Sequence, residues 1–461
     1  MKNMKQGQSK TNNNHNSKYN KKNNMTISSN KPGGNETGRS LGIYVHIPFC
    51  AKKCNYCDFL SAPAGEDVKK EYVEALLAEI QSYEGRKGEL ITSGRTNDDF
   101  MGRTEDYLVK TIFIGGGTPS VLDAGSIVRI MEQLDKVFKI DYDCLEATIE
   151  LNPGTVTRDK LADYRRVGIN RLSFGLQSVN DNELRLLGRI HSYEQFLANY
   201  NTARELGFDN INIDLMSALP RQTLMSWEET LLKTVALQPE HISAYSLIIE
   251  EGTPFYDLYN ENGKYVSELP DEETERSIYH LTREVLKSHG YYRYEISNYA
   301  KPGYESRHNS SYWTGTDYLG FGLGASSLLC GVRFDNLNDL KSYIGKCNEY
   351  KARSLSLKNS SKEQTYEHPL LEDEIGLREN IIKLSTQQKM EEFMFLGLRL
   401  MSGISKNDFK TRFNQDIDSV YGDIIYKHKR NGLLEVSGDR IFLTEYGIDI
   451  SNYVLSDFIL T

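Results

Sequence analysis

The chain has 461 residues, 39% of them hydrophobic and 26% charged, which is the balance of a soluble globular protein with room for one large domain and a smaller one. No apolar run approaches the ~18–20 residues that cross a bilayer, and no apolar stretch opens the chain, so a cytoplasmic protein without a secretory signal is expected. The net charge of −9 joins a basic segment, residues 1–40 with eight Lys or Arg and one Glu, to a body with 47 basic and 63 acidic residues. That acidic body argues against a nucleic-acid partner, whose phosphates demand a basic footprint.

Residues 1–40 are rich in Asn, Lys and Gly and have too few apolar side chains to order themselves, so a disordered tail is expected. From Leu41 the texture changes. Short apolar runs at 42–47, 110–116, 146–151, 170–177, 210–216 and 241–249 read as strands. Amphipathic helices lie between them; the first, EYVEALLAEI, sets Val73, Leu76, Leu77 and Ile80 on one face. Gly168, Gly207 and Gly290 follow helical patterns as C-terminal stops. Six βα units in succession predict an α/β fold with a parallel sheet, helices outside, and a working face at the C-terminal strand ends. Periodicity leaves open whether the sheet closes partly into a barrel. This core is expected over 41–290, with a polar insertion at 85–106. An aromatic-rich extension and linker is expected over 291–385, including a polar stretch at 351–368. Residues 386–461 read as a small winged-helix-like α+β domain: a helical run over 389–413, then a hairpin and a helix.

The loop after the first strand carries the chemistry. HIPFCAKKCNYCDF (His46–Phe59) holds Cys50, Cys54 and Cys57, half of the six cysteines. Six are too few for a disulfide framework in a chain this long, and a cluster points to metal or catalysis in a reducing compartment. Three thiolates on one loop suit zinc or an iron–sulfur cluster. Structural zinc asks for a fourth ligand, and Cys144, Cys330 and Cys347 are isolated. Three ligands fit a 4Fe–4S cluster with one iron left open. The same face should receive the turn GGGTPS (Gly115–Ser120), whose glycines offer backbone N–H groups unobstructed by side chains, together with the NPG turn, Gln177 and Asp214.

Cys-x₃-Cys-x₂-Cys with Tyr56 before its last cysteine resembles the signature of radical S-adenosylmethionine (SAM) enzymes. The resemblance implies that the open iron is chelated by SAM and that reduction cleaves SAM to a 5′-deoxyadenosyl radical. It implies a partial (β/α)₆ barrel, and Tyr44, Tyr56, Gly116, Gly117, Thr118, Glu150, Gln177, Arg189 and Asp214 as cofactor-binding residues. Arg189 suits a bidentate carboxylate contact. No residue is assigned a catalytic role.

YVHIPFC, GGGTPS, INRLSFGLQS and NIDLMSALPRQT extend the match, which is similar to the coproporphyrinogen III oxidase-like family along nearly all the chain from Leu41. That family includes an oxygen-independent oxidase and heme chaperones. The oxidase carries a fourth cysteine two residues after the third, where this chain has Phe59, so the match is to the chaperone branch. RHNSSYW (Arg307–Trp313) resembles that branch too and makes His308 the candidate heme ligand, with neighbouring aromatics to cover a porphyrin. The resemblance implies heme as cargo, apo-hemoproteins as recipients and an electron donor for the cluster. It leaves peripheral membrane contact and a homodimer open. Oxidative decarboxylation of coproporphyrinogen III is the alternative, and Phe59 argues against it. The acidic body disfavours tRNA modification. A cluster-free binding protein on the same scaffold is the remaining reading.

Overall fold

Strand β1 (Arg39–Ile47) leads into α1 (Glu66–Gln81), β2 (Tyr107–Gly116), α2 (Ala124–Val137), β3 (Glu146–Leu151), α3 (Arg158–Arg166), β4 (Arg171–Gln177), α4 (Asp181–Leu186), α5 (Tyr193–Glu205), β5 (Ile211–Ser217), α6 (Leu224–Ala236) and β6 (His241–Ser246). This computed structural model describes residues 38–84, 107–359, 373 and 375–460. The tail expected up to residue 37 and the insertion expected at 85–106 lie outside the described residues. Strands β1 to β6 pair in parallel in chain order, giving the partial barrel of the radical SAM type. They are buried along most of their length, as parallel strands covered by helices must be. The helices start where a side chain captures a free N–H. Asp123, Thr157, Ser192 and Thr223 each accept from the third residue of the helix that follows, worth about 0.5–2 kcal/mol apiece. The stops at Gly168, Gly207 and Gly290 have φ of 92°, 82° and 84°.

After β6 come α7 (Pro254–Tyr259), α8 (Glu272–Ser288), β7 (Tyr292–Glu295), β8 (Asn298–Ala300), α9 (Arg307–Trp313), β9 (Tyr318–Phe321), β10 (Ser326–Leu329), β11 (Val332–Asn336), α10 (Leu340–Asn359) and β12 (Arg378–Lys383). The stretch expected as extension and linker is thus built into the sheet, on both edges at once. β8 and β7 continue it antiparallel beyond β6, while β9 pairs in parallel with β1 and carries β10, β11 and β12. The part of the polar stretch up to Asn359 completes α10; 360–368 lies outside the described residues. The glycines of YLGFGLGASS make a packing turn. A Cβ on Gly320 would sit 2.3 Å from the Ser326 carbonyl oxygen, and one on Gly322 (φ 98°) 2.6 Å from that of His46.

The C-terminal part comprises α11 (Thr386–Gly397), β13 (Ile404–Ser405), α12 (Lys406–Phe413), α13 (Ile417–Arg430), the hairpin β14 (Leu434–Ser437) and β15 (Arg440–Leu443), then α14 (Glu445–Asp449) and α15 (Ser451–Ser456). Its own apolar core gathers Met394, Leu398, Phe409, Tyr421, Ile441 and Phe458. The helical run expected over 389–413 is broken. Gly403 turns the chain with φ of 60°, where a Cβ would meet the Ile441 carbonyl oxygen at 2.0 Å, and β13 joins β15. The sixth strand ends at Ser246 rather than at residue 249.

Candidate functional site: a three-thiol cavity at the strand ends

A cavity of about 420 Å³ opens at the C-terminal ends of β1–β6. Cys50, Cys54, Cys57 and Tyr56 line it from the loop after β1, and Gly116, Gly117 and Thr118 from the turn after β2. Glu150, Gln177 and Asp214 reach it from β3, β4 and β5, and Arg189 from the segment between α4 and α5. Eleven of the residues singled out in the sequence therefore meet in one place. Tyr44 and His308 are not in the lining.

The cysteine loop is held from below by the glycine turn. Gly117 N–H donates to Ile47 O at 2.9 Å and Thr118 N–H to Phe49 O at 2.7 Å; the Thr118 hydroxyl lies 3.6 Å from Cys50 Sγ. Gly116 N–H donates to Glu150 Oε2 at 3.0 Å. These three N–H groups are thus spent internally, contrary to the expectation that the turn offers them outward. What it can offer an ammonium is carbonyl oxygen. The approach is so close that a Cβ on Gly117 would stand 2.6 Å from Phe49 O. Gly117→Ala is expected to displace the cysteine loop and to lower iron content after anaerobic reconstitution at least about tenfold, the scale of lost metal-site support. Full iron loading of that variant would sink this account.

Asn55 fixes the other side of the loop. Its N–H donates to Leu187 O at 3.0 Å and its amide to Leu186 O at 2.8 Å. Just beyond α4, the half-buried Arg189 donates from Nη2 to Gly175 O at 2.6 Å and points Nη1 at Cys54 Sγ at 3.4 Å. Its Nε is buried without a partner. Burial disfavours the Arg189 charge, and Tyr56 and the Cys54 sulfur more than offset that, leaving its pKa raised. Burial also pushes the Cys57 thiol up. Gln177 sits at a bulge opposite β5 with a left-handed φ of 72°, a conformation that costs about 1–3 kcal/mol in a non-glycine residue and recurs at ligand sites.

Two carboxyls complete the lining. Burial, with Asp214 adding like-charge repulsion, pushes Glu150 up to about 8 despite the Gly116 N–H. Burial also raises Asp214, against donors on Asn212 at 2.7 Å and Ser173 at 3.0 Å. A pair of half-buried carboxyls with raised pKa facing a cavity is a site that a cation would complete.

The donor set tests which metal group fits. Among the described residues no three His, Cys, Asp or Glu side chains converge tightly enough to hold a single ion. Three thiols spread over one cavity suit a cluster that takes one thiolate per iron. Their side of the cavity has no fourth cysteine: Phe59 stands at the rim, 64% exposed.

Tyr44 and His308 lie deeper. Tyr44 donates to His46 Nδ1 at 2.9 Å. His308 is fully buried in the barrel, with Nδ1 2.9 Å from the Thr111 hydroxyl, Nε2 2.8 Å from the Tyr312 hydroxyl and its ring stacked on Phe113 at 5.2 Å. Burial, then Arg171, lowers its pKa to about 3. Both ring nitrogens are occupied, which differs from the open ligand expected of the RHNSSYW motif. Sequence reasoning missed Ser173, Tyr245, Leu247 and Ile248 in the lining. Tyr245 is the penultimate residue of β6, and Leu247 and Ile248 follow its end; that position was their only signal.

This barrel and its three-thiol cavity define a radical SAM protein. A model of the radical SAM superfamily matches residues 44–233, and one of the HemN C-terminal domain matches 384–450. The heme chaperone HemW of Bacillus subtilis is 34% identical over 416 residues, 90% of this chain and 98% of that protein. HemW of Lactococcus lactis is 33% identical over 90% of this chain and 97% of its own length. The structure of coproporphyrinogen III oxidase (HemN) from Escherichia coli superposes with a TM-score of 0.72 at 24% identity, covering 92% of this chain and 91% of that one, and shows the shared fold. The chain belongs to the heme chaperone HemW family of radical SAM proteins. Membership implies a 4Fe–4S cluster and SAM. Among the described residues no helix is long and apolar enough to cross a membrane.

Proposed function

We propose that Cys50, Cys54 and Cys57 hold a 4Fe–4S cluster, that SAM binds in the cavity beside it, and that the protein binds heme and delivers it to apo-hemoproteins in the cytoplasm. The observation that carries this is a cavity with three thiols and no fourth, flanked by Arg189, Glu150 and Asp214. Relatives matched along nearly their whole length are named heme chaperones, which supports heme as cargo. Bound there, the cluster would supply single electrons to SAM. The chain's own part is to bind and orient. Arg189 sets a fixed positive charge against the Cys54 sulfur and can take a carboxylate. Glu150 and Asp214 answer the cationic end of SAM, and Gly116, Gly117, Thr118, Tyr56 and Gln177 shape its bed. Tyr44 supports that bed through His46. We assign His308 to the barrel interior, since heme iron would need one of its two bonded nitrogens. The working parts are the 41–290 core and the 386–461 domain, with 291–385 widening the sheet between them.

Titrating the reconstituted protein anaerobically with heme, then assaying coproporphyrinogen III with SAM and a reductant, tests this. Stoichiometric heme binding without porphyrinogen consumption is expected. Turnover of the porphyrinogen would make the protein an oxidase.

Glu150 adds a pH dependence. Its carboxyl is mostly protonated below about 8, whereas a bound cation favours the ionised form. Cation binding therefore expels a proton below that pH, and SAM affinity rises with pH up to about 8 and then levels. Calorimetry at pH 7 in two buffers of different ionisation enthalpy should show more proton release in the wild type than in Glu150→Gln. Equal release would remove Glu150 from the site.

A further inference from the structure

A larger cavity lies elsewhere. About 710 Å³ of space lies between the barrel's extra strands and the C-terminal part, within the range of ligand pockets. Part of its wall is apolar and aromatic, with Trp313, Phe393 and Phe413 among the lining residues. Three cations line it as well, Lys389 from α11, Arg412 from α12 and Arg440 from β15, and so do three carboxyl side chains, Asp317, Glu392 and Asp408. Among the described residues none of the three has a carboxylate within ion-pair distance. Arg412 donates to Thr314 O at 3.0 Å and lies over the Phe393 ring at 5.4 Å; Arg440 makes a long contact of 3.4 Å to Gly403 O. The acids nearby are mostly engaged. Asp317 accepts from Tyr107 at 2.8 Å and from Cys330 N–H at 3.0 Å, and Glu392 pairs with Arg333 at 2.9 Å. Asp408 is the exception.

Three cations without an ion-pair partner among the described residues, around a space with aromatic walls, against one unengaged carboxyl, are complementary to a planar apolar body bearing carboxylates. We propose that this interdomain cavity is a porphyrin site, taking a dicarboxylate tetrapyrrole between α9–β10 and α11–α12 and holding it by its macrocycle and carboxylates rather than by a metal. The assignment rests on the heme-carrying function proposed above and gives the cargo a place apart from the three-thiol cavity. Among the described residues no His, Cys, Met or Tyr lines the space, so none of them offers heme iron its usual axial ligand. Cargo held without an iron bond leaves the metal free for a recipient's ligand. The last residue of the RHNSSYW motif also finds a use: Trp313 lines the cavity, while His308 is sealed in the barrel.

The test is titration of the full, reconstituted chain with heme and with metal-free protoporphyrin IX. The two should bind with dissociation constants within about threefold of each other, because the iron contributes little. Lys389→Glu with Arg440→Glu should weaken both by at least about tenfold, roughly 1.4 kcal/mol. Lys389→Gln, which breaks no ion pair and so spares the fold, should weaken both in the same direction. Amide exchange in α11 and α12 should slow when protoporphyrin IX is added. Heme binding that ignores these variants, or heme binding without protoporphyrin binding, overturns the cavity assignment and leaves the heme-carrying function standing. Failure of the wild type to bind either porphyrin overturns both.

Discussion

Cys54→Ala is expected to leave the protein without its cluster. Anaerobic reconstitution should return iron and acid-labile sulfide at background levels, with no cluster absorption in the visible range. The reason is local. Each cysteine of the loop faces the same cavity, and among the described residues its lining contains no further Cys or His to step in. Cys347 is buried beside Tyr343, Cys330 sits 3.0 Å from the Tyr107 hydroxyl, and Cys144 is exposed. None lines the cavity. Changes to the supports of a metal ligand already cost about 10–100-fold in affinity, and losing the ligand itself should cost more. Arg189 would add to the damage, since its Nη1 would lose the Cys54 sulfur and stand unpaired in a buried place. The same loss is expected for Cys50→Ala and Cys57→Ala. Any one of these variants with a full complement of iron and sulfide would show that the three thiols are not the ligand set.

Local signals in the sequence were enough to bring eleven residues to one cavity and too little to give its surroundings. The first six strands are apolar runs bounded by turns, and parallel pairing in chain order needs only short connections. The three cysteines, Gly116, Gly117 and Thr118 of the glycine turn, Glu150 and Gln177, all carried to the strand ends, therefore arrive at the cavity. Residues without a motif were invisible. Tyr245 and Ile248 enter because of where β6 stops, which no short pattern encodes. His308 misled for the converse reason. Its motif is local, but its surroundings are assembled from β2 and α9 across 197 positions of sequence. The aromatic stretch 291–385 looked like a linker because its strands are three to six residues long and find partners only at the two distant edges of the sheet. The break at Gly403 depends on the hairpin that arrives some 40 residues later.

Besides the pairing of β9 with β1, the joint between barrel and added strands contains one buried carboxyl. Glu79, on α1, accepts from Gly322 N–H at 2.8 Å and from the Tyr343 hydroxyl at 2.5 Å through Oε2, and from the Asn336 amide at 2.7 Å through Oε1. It thereby ties the first helix to the turn after β9, the end of β11 and the start of α10. Burial pushes its pKa up to about 7 from 4.5, against these three donors. Because the folded value lies above the unfolded one, the carboxyl's contribution is greatest below about pH 4.5 and is lost as the pH rises through about 7. Removing the side chain is a larger insult than ionising it. Glu79→Ala leaves three donors without an acceptor in a dry interior, at about 1–3 kcal/mol each, and opens a void that packed neighbours fill only in part. A loss of at least about 4 kcal/mol is expected, near the upper end for single substitutions, read as an early thermal or urea transition. Proteolysis should then open the chain between Gly322 and α10 before it reaches β2 or β3. The effect on the cysteine cavity should be secondary, since Glu79 lies outside its lining. A destabilisation below about 1 kcal/mol would mean that the strands beyond β9 dock on the barrel by apolar contact alone, and that the buried carboxylate is a passenger in the joint.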